Sequence, residues 1–110
     1  MKQSKCQHQH LAIIEAAFCA ARDVGAAMQA KSLPVSKGFS WVTIKPARSP
    51  LVATLRRLDL GTADSAGNWQ VRDPAGLAVQ SLPAKIAGAE AFVAVLREHN
   101  VNAVAHSLAD

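Results

Sequence analysis

The sequence predicts a single small α+β domain, and three observations carry that expectation. Apolar and small residues recur at alternating spacings of three and four near the start of the chain, which marks one stripe of a helix. A run rich in β-branched and aromatic residues, Phe39-Ser-Trp-Val-Thr-Ile-Lys45, follows and is closed by Pro46. Two further helical patterns, each led by a proline, then alternate with short strand patterns.

At 110 residues the chain has the length of one domain, and such a domain buries roughly two thirds of the surface that its unfolded chain exposes. It can therefore fold without disulfides. Half of the residues are apolar but only 5% are aromatic, so the core has to be built from Ala, Val, Leu and Ile.

The first helix is expected over residues 10–31, with Leu11, Ile14, Phe18, Ala21, Gly25 and Met28 on its stripe. It ends before Leu33-Pro34, because the residue preceding a proline disfavours helix. Residues 1–9 are read as a flexible tail, leaving 10–110 as the domain. A stripe this narrow suits either a helix laid across a sheet or a seam between two copies. In the strand that follows, Phe39, Trp41 and Thr43 face one side while Val42 and Ile44 face the other. Both sides carry apolar groups, which predicts a central strand covered on both faces.

Ser49-Pro50 reads as an N-cap followed by proline at the first helical position. Leu51, Val52, Leu55 and Leu58 form the buried stripe of this helix, Arg56 and Arg57 point away, and Gly61 ends it. A short strand within 58–62 can pair with Trp69-Gln-Val-Arg72, whose Trp69 and Val71 face inward. Asp73-Pro-Ala-Gly76 is a turn. The last helix opens at Pro83, capped by Ser81 or Leu82, and buries Ile86, Ala89, Phe92, Val93 and Leu96. Asn100 takes the left-handed position that closes it, and 101–106 form the final strand.

After the first helix, the order strand, helix, strand, strand, helix, strand is the split β-α-β pattern of a ferredoxin-like sandwich. Its two internal helices cover one sheet face, so Phe39 and Trp41 lie on the other. Either the long first helix or a second copy has to bury them. A homodimer is expected, through Leu11, Ile14, Phe18 and Met28 of the helix or Phe39 and Trp41 of the sheet.

No nucleophile motif, phosphate-cradling glycine loop or pair of catalytic carboxylates is present, and the eight acidic residues are scattered. An enzyme is therefore not expected, nor is a cofactor. The net charge of +4 favours anionic partners. Lys45, Arg48, Arg56, Arg57 and Arg72 are the candidate nucleic-acid-binding group, with Trp69 or Trp41 as a stacking face. The bland alternative is a solvated basic surface in which Arg57 and Arg72 pair with Asp59 and Asp73. Cys6, His8 and His10 are zinc-ligand types, but their one-residue gaps converge only in an extended segment, so no metal site is expected. His99 and His106 have ordinary surface explanations.

Cys6 and Cys19 are placed where pairing would strain the first helix, which points to a reduced, cytoplasmic protein. The apolar run from Leu11 to Ala21 contains Glu15 and is too short to span a bilayer.

The segment Gly38-Phe-Ser-Trp-Val-Thr-Ile-Lys-Pro-Ala47 resembles a group of small uncharacterised proteins of bacteriophages and other mobile elements, which carry a Gly-Phe-Ala-Trp-Val strand. The resemblance continues through 50–58, 69–74 and 80–96, where Ala-Gly-Ala-Glu-Ala-Phe leads into Val95-Leu96-Arg97, and the Ala-rich first helix is similar too. The group often ends in Ser-Arg-Leu-Asp or Ser-Arg-Met-Asp; this chain ends Ser107-Leu-Ala-Asp110 and lacks the arginine. The resemblance implies a mobile-element origin and no particular activity. The expectation is an accessory protein of a phage or mobile element that binds a macromolecule, nucleic acid ahead. The alternative is a protein-binding factor, such as an inhibitor of a host defence complex.

Overall fold

The computed structural model describes residues 2–31, 38–76, 79 and 81–109, and their side chains from residue 9 to residue 108. Its elements run α1 (Lys2–Lys31), β1 (Gly38–Ile44), α2 (Pro50–Arg57), β2 (Thr62–Ala63), β3 (Trp69–Arg72), α3 (Leu82–Glu98) and β4 (Ala103–Ala109). The α+β class and the long N-terminal helix are both present. Helix α1 starts at Lys2, so residues 2–9, read from sequence as a tail, continue the helix instead.

Helices α2 and α3 end by the same device, and it shifts the strands that follow. Asp59 and Asn100 adopt left-handed backbone at φ 57° and 63°. The next amide folds back across the helix end, Leu60 N–H to Leu55 O at 2.9 Å and Val101 N–H to Leu96 O at 3.0 Å. This six-to-one closure satisfies carbonyls that a helix end would otherwise leave bare. It also consumes the residues expected to open the strands, so β2 starts at Thr62 and β4 at Ala103. Asp59, rather than Gly61, closes α2, and Leu58 is left 46% exposed instead of joining the stripe.

The four strands form one sheet of order β2-β3-β1-β4, antiparallel throughout. Val42 lies opposite Val71 and Ala105, and Ile44 opposite Trp69 and Ala103. These residues share one face, and all three helices meet them there in a single core with Ile14, Leu55, Phe92 and Leu96.

Helix α1 joins this layer by lying along α3. Small residues make the approach possible: Ala17 and Ala21 of α1 and Ala84 and Ala89 of α3 are fully buried. A Cβ on Gly88 would come within 3.0 Å of the Ala21 carbonyl oxygen and 2.6 Å of the Ala75 Cβ, and a Cβ on Gly25 within 2.8 Å of the same Ala75 methyl. The turn after β3 therefore inserts Ala75 into a notch made by one glycine from each helix. Alongside, Phe18 meets Phe92 edge to face with centroids 4.9 Å apart, an arrangement that the ring quadrupoles favour.

Strand β1 is central, between β3 and β4, and this packing corrects the alternative in which the first helix covers its second face. The stripe of α1 is spent on α3, and no described helix lies on the face of Phe39 and Trp41.

Candidate nucleic-acid interface

The register of the sheet defines what the uncovered face displays. In one row, Phe39 of β1 lies opposite Leu108 of β4; in the next, half-buried Trp41 lies between His106 of β4 and Arg72 of β3; in the third, Thr43, which is buried, lies between the half-buried Val104 and Gln70. Thr62 of β2 extends that third row beyond Gln70. Strand alternation puts all of these side chains on one side.

Two features set the chemistry of this face. The first is exposed apolar and aromatic surface: Phe39 is 55% and Leu108 61% exposed. The Trp41 ring stacks on the His106 imidazole at 5.4 Å with 21° between the planes. Parallel stacking on β4 turns the opposite face of the indole toward β3, where Arg72 stands. The second is its charge. Arg72 is exposed, and the Lys85 ammonium, which donates to the Gly38 carbonyl at 2.9 Å, lies 5.9 Å from the Phe39 ring centroid. None of the strand residues that make up the three rows is a carboxylate.

The expected basic group does not converge on one place. Arg72 alone of the five cations projects from the uncovered face. Arg56 lies on the helical side, its guanidinium 4.9 Å from the centroid of Trp69. Trp69 is 5% exposed and its indole N–H donates to the Leu60 carbonyl at 2.9 Å, so it serves the core and offers no stacking face. Arg57 is exposed on α2, and Arg48 is exposed in the loop before it. Lys45 follows β1 and lines a cavity of about 710 Å³ with His10, Ser49 and His99 at the end of the domain.

The residues expected to self-associate also divide. Ile14 is buried and Leu11 and Phe18 are half-buried in the helical layer, whereas Phe39 and Trp41 lie across the sheet from them. Met28 is 37% exposed. Helix stripe and sheet face therefore do not form one continuous surface.

Leu108, Gln70 and Lys85 complete the face without having been singled out from sequence, together with His106, which the sequence reading gave an ordinary surface explanation. Period-two alternation from Trp41 carried the signal for His106 only once the pairing of β1 with β4 was known. Leu108 lay beyond the expected end of the last strand.

The side chains of Cys6 and His8 lie outside the described residues, and no group of His, Cys, Asp or Glu among the described residues could hold a metal ion. Cys19 is an exposed thiol. No described helix is long and apolar enough to cross a membrane. No protein-family model matches the chain, and no curated protein or solved structure matches it either.

Proposed function

We propose that the chain is a non-catalytic, cytoplasmic accessory protein of a phage or mobile element that binds nucleic acid on the uncovered face of its sheet. The observation that carries this reading is the middle row of that face, where Trp41 stands between His106 and Arg72. An aromatic ring beside a guanidinium, in strand rows that hold no carboxylate among the described residues, suits a ligand of flat bases joined by phosphates. The net charge of +4 adds a general attraction to such a polyanion. The domain is read as a ferredoxin-like split β-α-β sandwich, a reading supported by the strand order β2-β3-β1-β4 with α2 and α3 as its crossovers.

The test is binding of labelled DNA and RNA oligonucleotides by fluorescence anisotropy over a range of salt concentrations. Affinity that falls as salt rises supports the reading, because released counterions oppose binding. No retention of either nucleic acid at low salt removes it.

The exposed pair Phe39 and Leu108 favours a second reading, contact with a protein, either a host factor or another copy of this chain. A hydrophobic interface of that kind changes little with salt.

A further inference from the structure

We propose that the ligand of this face is a single strand, two of whose successive bases stack on Phe39 and Trp41 while its backbone meets Arg72. The proposal rests on the nucleic-acid reading above and narrows it to unpaired bases.

Three arguments lead there. Phe39 and Trp41 are two residues apart on β1, so their rings are offset by about 7 Å along the strand. That spacing suits consecutive bases of an extended chain and not the closely stacked bases of a duplex. One face of the Trp41 indole stacks on His106, and Arg72 is the register partner of Trp41 on the other side, so a base laid on the second face of the ring would have a guanidinium beside it. A base inside a duplex has both of its faces covered by neighbours and cannot be laid there. Duplex readers instead place a helix or a two-stranded ribbon in a groove, and neither projects from this face.

Charge separates the same two ligands. With Arg72 and Lys85 as the cations beside the aromatic rows, two phosphates are neutralised. The logarithm of affinity then falls with the logarithm of salt at a slope of about −1.4, from roughly 0.7 per phosphate for a single strand. A ligand held so weakly by charge has to be held by stacking.

A second copy of the chain is the competing occupant, and the charge pattern disfavours it. A two-fold pairing of this face buries Arg72 of each copy against strand rows that hold no carboxylate among the described residues, and a buried, unpaired cation is costly.

Fluorescence anisotropy with labelled ten-nucleotide thymidine and uridine strands, and with a DNA duplex and an RNA duplex of mixed sequence, tests the proposal. Both single strands, or one of the two, bind at least ten-fold more tightly than the duplexes. Trp41→Ala and Phe39→Ala each weaken single-strand binding by roughly ten-fold or more, the cost of one lost stacked base, and leave the salt slope unchanged. Arg72→Ala lowers the slope by about 0.7. Phe39 is exposed enough for its variant to keep the fold, so that arm stands even where Trp41→Ala melts early. Duplex bound as tightly as single strand overturns the proposal and leaves the broader nucleic-acid reading intact. Absence of all four complexes at low salt overturns both. A dimer in sedimentation that Phe39→Ala dissociates assigns the face to a second copy and overturns the proposal as well.

Discussion

Gly88→Ala is the perturbation that tests most directly where α1 lies. In an exposed helix interior this change stabilises, because alanine is favoured over glycine by about 1 kcal/mol. Here the new methyl would stand 2.6 Å from the Ala75 Cβ and 3.0 Å from the Ala21 carbonyl oxygen. Neither neighbour is the end of a flexible side chain: one is fixed to the backbone of the turn and the other is backbone of α1. Overpacking of this kind costs up to about 3 kcal/mol, which leaves a net loss of about 2 kcal/mol. For a domain of this size that lowers the melting temperature by about 8 °C. Thermal unfolding followed by circular dichroism measures it. A double-mutant cycle with Ala75→Gly then assigns the cause: that second substitution removes the methyl that the new Cβ meets, and the pair shows a favourable coupling of at least about 1 kcal/mol. A melting temperature for Gly88→Ala equal to or above wild type would refute the notch, and with it the packing of α1 along α3.

Two other outcomes separate core from surface. Arg56→Ala costs about 0.5–1 kcal/mol through the lost contact over Trp69, while Arg57→Ala stays within about 0.5 kcal/mol of wild type; equal melting curves for the two variants contradict the Arg56–Trp69 contact. Excess chelator leaves the melting temperature unchanged, since a structural zinc contributes folding energy directly, and a large drop would bring Cys6, His8 and His10 forward as ligands.

The candidate site was legible in part. Alternation along Phe39-Ser-Trp-Val-Thr-Ile separated Trp41 and Phe39 from Val42 and Ile44 without any coordinates, because side chains in a strand alternate wherever the strand is placed. The neighbours of Trp41 were not legible. His106 and Arg72 are 65 and 31 positions away in the chain, as the register Trp41 to His106 and Trp41 to Arg72 shows, and only strand pairing brings them together. The arginine group was read by proximity in sequence. Helix periodicity put Arg56 off the buried stripe, but could not show that its guanidinium covers Trp69.

What the sequence determined by itself is local: the helical stripes, the Ser49-Pro50 start of α2, the left-handed closure at Asn100, and the composition of a core made from small aliphatic residues. These follow from spacing and backbone preference within a few residues. Tertiary structure decided which stripe meets which surface. The small residues Ala21 and Gly25 announced that α1 approaches some backbone closely, but whether that backbone belonged to the sheet, to α3 or to another copy depended on complementary shape. Gly88 on α3 and Ala75 in the turn supply that shape, so α1 docks beside α3, and no described helix covers the sheet face bearing Phe39, Trp41 and Arg72.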